Sequence, residues 1–339
     1  VLGAGWPTEP LPPPGGESVA LSVLAYLLGF LAALCNGLAN VAQRAANRDI
    51  PSEHQLSIRL LLDLVRRPVW LAGIAAVMLS FMLQATGLGF GTLAAIEPLL
   101  VLELPLTLIG ARFLLGERLG PRAWWSIVAM TGGTIALIVF LGPSGGEPVG
   151  IPWWVWTAAI VATVAAVLAL YVGARRTADP ARRSALLGAA TGTAFGLAAS
   201  LTKGMTEQFS NGGMVGIFTS WQLYLAFATG FFAMWMLQNA LNAGRLVVAQ
   251  PGITLADPYV SIIWGALVFG ETMRGGYFIL LAILAGGIMT AATLVLARSP
   301  AWQAGQPGSS DNGGEAKERP GDQGEAGEGT GWVSASSQS

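Results

Sequence analysis

Residues 97–118 read EPLLVLELPLTLIGARFLLGER, and residues 250–272 read QPGITLADPYVSIIWGALVFGET. Pro98 and Pro251 stand 153 positions apart, and so do Pro105 and Pro258. The Gly-Glu pairs that follow, Gly116-Glu117 and Gly270-Glu271, are offset by 154, so one residue is inserted between. Gln84 and Gln238 lead into the two stretches. Gly132-Gly133 and Gly286-Gly287 lie in the segments that follow them. Two prolines at equal spacing, followed by Gly-Glu in the same place, mark an internal repeat.

The solvent of this repeat is set by composition. Of 339 residues, 53% are hydrophobic and 11% charged, against about 25% charged in a soluble domain. The mean hydropathy of +0.58 agrees. So little charge cannot solvate the surfaces of two or three soluble domains, and the chain reads as a polytopic membrane protein. A net charge of −1 without a Lys/Arg cluster excludes a nucleic-acid partner. One cysteine, Cys35, excludes a disulfide framework or thiolate metal site. The single histidine, His54, and the lack of a paired nucleophile and base argue against an enzyme. No cofactor is expected.

A membrane span takes roughly 20 apolar residues. Nine stretches qualify: 19–43, 69–86, 91–115, 121–141, 151–173, 185–206, 214–238, 246–269 and 275–297. With the N-terminus outside and every stretch crossing, sixteen of the eighteen Lys and Arg residues fall on the inner side. Only Lys203 and Arg274 fall outside. The positive-inside rule therefore favours nine spans in the cytoplasmic membrane, N-terminus out and C-terminus in. Residues 1–18 are proline-rich and carry no Lys or Arg, so they lack the basic region of a secretory signal. They are read as an extracellular segment. Residues 299–339 hold six acids and two bases among Gly, Ser and Gln, and are expected to be a disordered cytoplasmic tail. The inner linker 44–68 contains His54–Pro68, where Arg59, Asp63 and Arg66 share one helical face. It reads as an amphipathic helix on the membrane surface, with a tenth span as the alternative.

The repeated stretches fall on the third and eighth spans. Five crossings separate them, so the two halves, 19–141 and 151–298, are inverted in the membrane. Inverted repeats are typical of secondary transporters, with the substrate site near the midplane where the halves meet.

Charge at membrane depth costs at least about 2.5–3.5 kcal/mol per residue. Glu97 and Glu103 on the third span and Asp257 on the eighth carry it. Under the repeat, Asp257 matches Leu104, next to Glu103, so each half offers one central carboxylate. Glu97 matches Gln250. Pro98, Pro105, Pro251 and Pro258 surround these groups as helix breaks. Each removes an N–H and frees a carbonyl one turn back, which must be satisfied by protein, water or ion. Carboxylates with freed carbonyls are hard oxygen ligands suited to hydrated Mg²⁺ or to proton coupling. The substrate or coupling-ion set is therefore Glu97, Glu103, Asp257 and Gln250, with Glu103 and Asp257 as metal ligands. The bland alternative is kinked packing, with the acids bonded to neighbouring helices.

Asn36, Asn40, Gln84 and Gln238, with Asn239 and Asn242, either line the same cavity or bond between helices. Lys203 is either a counter-ion for an intramembrane acid or snorkels to the interface. Glu117 and Glu271, at helix ends beside water, are expected to cap or to form gating salt bridges. Gly188, Gly192, Gly196, Ser200 and Gly204 recur every four residues, a smooth stripe for close helix approach. Cys35 reads as inert packing.

The nine-span layout, the basic inner linker, Trp70-Leu71-Ala72-Gly73, Gly116-Glu117-Arg118-Leu119, Lys203-Gly204 and Pro251 leading to Gly270-Glu271 carry a resemblance. Over residues 24–298 the chain resembles the drug/metabolite transporter superfamily (DMT, EamA-like). It is most similar there to the NIPA-type magnesium transporter branch. The resemblance implies 4+5 spans in place of 5+5, with His54–Pro68 standing where the missing helix would be. It also implies alternating access through a central cavity. The chain departs from the NIPA-type pattern where Glu97 precedes the third-span proline, and in the added Glu103 and Asp257.

The expected function is thus secondary transport, with Mg²⁺ as the leading cargo. The alternatives are a proton-coupled exporter of a small organic metabolite or drug, and a non-transporting membrane scaffold. The expected partners are the lipid bilayer and a small solute or cation, Mg²⁺ or H⁺ among them. A homodimer stays open.

Overall fold

The computed structural model describes residues 16–47, 67–146, 150–243 and 246–298. Residues 48–66, with His54 and most of the inner linker, lie outside the described residues, as do residues 1–15 and the tail. The described helices are α1 (Gly16–Asn47), α2 (Pro68–Phe90), α3 (Leu93–Leu100), α4 (Glu103–Leu114), α5 (Pro121–Leu141), α6 (Trp153–Arg176), α7 (Pro180–Thr219), α8 (Trp221–Ala243), α9 (Leu246–Leu267) and α10 (Tyr277–Ala297). Strand β1 (Ser144–Gly145) pairs antiparallel with β2 (Glu271–Thr272), with Ser144 opposite Thr272.

Helix underlies each apolar stretch of the sequence. Among the described residues seven helical segments are long and apolar enough to cross a membrane. The number is eight if Gly212–Thr219 and Trp221–Ala240, bent by 54°, make one span. Large apolar side chains stand exposed along α2, α8 and α10. In water such a surface would aggregate, whereas in a bilayer it meets lipid. The chain is a helical, multi-pass membrane protein.

Local chemistry explains the helix ends. Pro68, Pro121 and Pro180 each open a helix, where a missing N–H is harmless and φ is already helical. The Asp179 carboxylate caps α7, accepting from the N–H groups of Ala181 (3.1 Å) and Arg182 (3.3 Å). Gly142 closes α5 in the left-handed region, at φ 48°. Its missing Cβ leaves room for the Arg274 side chain, which donates to the Val139 carbonyl at 3.1 Å. A cation thus sits on the last carbonyls of α5, where the helix dipole favours it.

The third predicted span, 91–115, is broken between α3 and α4. Pro105 cannot donate to the Val101 carbonyl, and the backbone tightens there into turn bonds. Val101 N–H donates to Pro98 O (3.2 Å), Leu102 N–H to Leu99 O (3.0 Å) and Leu104 N–H to Val101 O (3.3 Å). The Val101 carbonyl, expected to be free for a ligand, is therefore taken by the chain itself. As helix breaks the expectation fails for Pro98, which lies inside α3, and for Pro251 and Pro258. The latter two lie inside the continuous α9, which packs closely on α7 on either side of them.

That packing comes from the small-residue stripe. A Cβ on Gly188 would strike the Ala249 carbonyl, one on Gly192 the Ile253 carbonyl, and one on Gly196 the Val260 side chain at 2.9 Å. Gly252 of α9 answers them: a Cβ there would lie 2.7 Å from the Ala189 nitrogen. Gly204 continues the stripe against the Trp156 ring. Gly192→Val is therefore expected to lower stability by about 1–3 kcal/mol through overpacking. A thermal unfolding scan in detergent reads this. An unchanged midpoint would show that α7 and α9 can part without loss.

The segment predicted as one span over 214–238 is divided. Residues 214–219 belong to the end of α7, beyond Gly213 at φ 58°. Ser220 then turns the chain into α8, its hydroxyl accepting from Leu223 N–H at 3.3 Å. In the bundle α1 packs on α2 and on α3–α4, and α7 packs on α8 and α9. α5 packs on α10, and α6 lies against α7.

Candidate functional site

A cavity of about 680 Å³ lies between α2, α3, α7, α8 and α9. Its volume falls in the range of ligand pockets, about 300–1,000 Å³. Glu97 from α3, Glu103 from the start of α4, and Gln250 and Asp257 from α9 all line it, with Asn36 of α1 and Gln84 of α2. Six polar residues singled out in the sequence thus converge, from both repeated stretches. Among the described residues the lining contains no Lys, Arg or His.

The acids are held but not neutralised. Glu97 is 1% exposed, and its Oε1 accepts from Gln84 Nε2 at 2.9 Å. Its Oε2 is buried with no hydrogen-bond partner among the described residues, as is Oδ1 of Asp257. Asn36 is the side-chain hydrogen-bond partner of Glu103. Gln250 Nε2 donates to Thr254 Oγ1 at 3.3 Å, and Thr254 also faces the cavity. Like charges in one low-dielectric space repel. No base among the described lining residues balances them.

Other predicted members lie elsewhere. Asn40 is not in the lining; its amide reaches Thr107 Oγ1 at 3.4 Å, between α1 and α4. Gln238 is exposed and outside the lining. Asn239 donates to the Trp235 carbonyl of its own helix at 2.8 Å. Of the four prolines only Pro258 touches the cavity; Pro98, Pro105 and Pro251 do not. Among the described residues no three of His, Cys, Asp and Glu form a group that could hold a metal ion. Glu103 and Asp257 are not supplemented by a third such ligand.

The rest of the lining was not predicted. Phe81, Phe195, Phe227 and Phe231, with Met205 and Met234, supply an apolar part of the same lining. On uniformly apolar helices, hydrophobicity alone does not separate residues facing a cavity from those facing lipid.

Lys203 neither lines the cavity nor snorkels. It is 1% exposed and lies 2.6 Å from Glu271 Oε1. Its ammonium also donates to the Gly91 carbonyl at 3.2 Å and stands 5.3 Å from the Phe269 ring centre. Glu271, expected beside water, is 4% exposed. It caps α3, accepting from the N–H groups of Leu93 (2.6 Å) and Ala94 (3.0 Å). Cβ atoms on Gly265 and Gly146 would collide with the Glu271 side chain, so these glycines make its pocket. Charge at a helix N-terminus, an ammonium and two N–H donors satisfy this carboxylate fully.

The chain is 30% identical over 288 residues to an uncharacterized protein of Corynebacterium glutamicum. The match covers 84% of this chain and 98% of that one, and the chain belongs to the same family. No family model and no solved structure matches the chain.

Proposed function

We propose that this protein is a secondary transporter that moves a small cation across the cytoplasmic membrane by alternating access. Glu97, Glu103 and Asp257 hold the cargo or a coupling proton. One observation carries the reading: carboxylates from both repeated stretches face one cavity whose lining, among the described residues, has no base. A scaffold would have a dry, closed midplane with its acids paired. The open space and the unpaired oxygens of Glu97 and Asp257 count against that.

The proposal includes nine spans in a 4+5 inverted arrangement, N-terminus out and C-terminus in, similar to the drug/metabolite transporter superfamily. The packing supports two halves. The contacts of α1 with α2 and with α3–α4 have counterparts in those of α7 with α8 and α9, while α5 meets α10. On this pairing α1 corresponds to α7. The helix without a first-half counterpart is α6, whose equivalent would stand before α1 rather than at His54–Pro68.

Between the two cargo classes open in the sequence, the cavity favours the organic one. Four phenylalanines and two methionines suit an apolar body, and aromatic faces attract cations. A Mg²⁺ reading keeps support from the unpaired Glu97 and Asp257 oxygens, because hydrated Mg²⁺ needs only one or two carboxylates. Flux in liposomes separates the two. Under a pH gradient, uptake of a tetraalkylammonium ion with no Mg²⁺ movement is expected. Mg²⁺ flux alone would select the divalent reading, and no flux of either would sink the transporter proposal.

A further inference from the structure

Five side chains line the cavity and are at the same time open to the outside of the bundle. On α2 they are Val77 (39% exposed) and Phe81 (38%); on α8 they are Phe227 (65%), Phe231 (79%) and Met234 (49%). These mark the mouth. α2 packs on α1 and α7, and α8 packs on α7, but among the described residues α2 and α8 share at most a slight contact with each other.

The depth of this mouth decides what it meets. α2 and α8 each have 23 residues, about 35 Å of helix. Val77 and Phe81 lie within about 3 Å of the middle of α2, and the three α8 residues within about 8 Å of the middle of α8. The hydrocarbon extends about 15 Å either side of the bilayer centre. A gap at mid-helix depth therefore faces acyl chains.

We propose that the cavity opens sideways into the bilayer between α2 and α8 and takes its cargo from the lipid phase. The cargo is an amphiphilic monovalent organic cation. This rests on reading the cavity as a cargo site. The wall is graded to fit such a molecule: apolar and aromatic at the exposed mouth, acidic where it is buried, with Glu97 and Asp257 in the lining and each keeping one buried oxygen that has no hydrogen-bond partner among the described residues. A cationic head reaches the carboxylates and loses its water there. The tail stays among the phenylalanines and the lipid, each methylene adding apolar contact. A small hydrophilic cation gains nothing from a door framed by Phe231.

Two ligands with one head group test this: dodecyltrimethylammonium and tetramethylammonium, bound to the full chain in lipid nanodiscs. Gly230 lies on the rim, and nothing stands within 4 Å of a Cβ built on it. Gly230→Trp therefore starts its side chain in open space and extends an indole from the rim. It is expected to weaken dodecyltrimethylammonium by about tenfold, with tetramethylammonium changed by less than about twofold. Val77→Trp plugs from the opposite helix and is expected to act alike, which guards against a folding defect in one variant. Asp257→Asn is expected to weaken both ligands. If Asp257→Asn weakens both but the plugs act on the two ligands equally, or on neither, the portal falls while the cargo site stands. If neither ligand binds, or Asp257→Asn changes nothing, the cargo site falls and the portal with it. A dimer that shields Phe231→Cys from a membrane-permeant maleimide, in a Cys35→Ser background, would also overturn the portal by covering it with a second copy.

Discussion

Lys203→Met is expected to destabilise the protein by about 3–5 kcal/mol, read as a large fall in the thermal midpoint in detergent. Removing the ammonium leaves Glu271, 4% exposed, with only the N–H groups of Leu93 and Ala94. A buried carboxylate stripped of its counter-charge loses more than the pair contributes, because the charge stays desolvated. The clamp also joins distant segments: Lys203 on α7, the Gly91 carbonyl before α3, and Glu271 on β2. Its loss loosens the start of α3, and α3 carries Glu97. Glu271→Gln is expected to be milder, since an amide oxygen can still accept from α3. The double variant Lys203→Met with Glu271→Gln should recover part of the loss. A Lys203→Met protein within about 1 kcal/mol of wild type would show that water or protein readily replaces the ammonium.

The two bases that break the charge pattern both have structural partners. Lys203 neutralises Glu271, and Arg274 sits on the carbonyls ending α5. Their departure from the one-sided distribution was visible in the sequence, but their partners were not. Lys203 and Glu271 are 68 residues apart, and no local periodicity links them. The helix-end acid was expected beside water because Gly-Glu after a long apolar run resembles a loop entry. What buries it is the absence of side chains at Gly146 and Gly265, opposite the Glu271 side chain. Such vacancies have meaning only once the helices are placed.

The acidic wall was more legible for a physical reason. Charge and amide groups are so costly in hydrocarbon that each one there is informative. Glu97, Glu103, Asp257, Gln250, Asn36 and Gln84 all arrive at one cavity. Asn40 and Gln238 do not, because a single polar group on a long helix can equally bond a neighbour or turn outward. The proline pattern located the weak point of the third span but overstated the effect in α9. There, loss of N–H donors is opposed by the contact of Gly188, Gly192 and Gly196 with the α9 backbone and Val260. The mouth between α2 and α8 left no trace in the sequence, being built from the commonest residues of any membrane helix.

Asp257→Asn is expected to reduce flux by about two orders of magnitude, the scale of removing one partner from a buried charged contact. Of the three acids, Glu97 and Glu103 come from the first repeated stretch, and Asp257 alone comes from the second. A cation held between two moving halves must be gripped by both, so Asp257 has no substitute across the cavity. Glu103→Gln is expected to impair transport strongly as well. Glu97→Gln should be milder, because Gln84 already satisfies one oxygen of Glu97 at 2.9 Å. The stability readout runs the other way. Oδ1 of Asp257 is buried without a hydrogen-bond partner among the described residues, and a neutral amide of the same shape is easier to bury. Asp257→Asn protein should therefore melt no lower than wild type while transporting poorly. Normal flux would free Asp257 from any cargo role. A collapse in stability would instead make it a structural group whose bond forms only in another conformation. A folded, inactive protein is the outcome that ties the Asp257 carboxylate to the cargo, because its charge is then needed for transport and not for the fold.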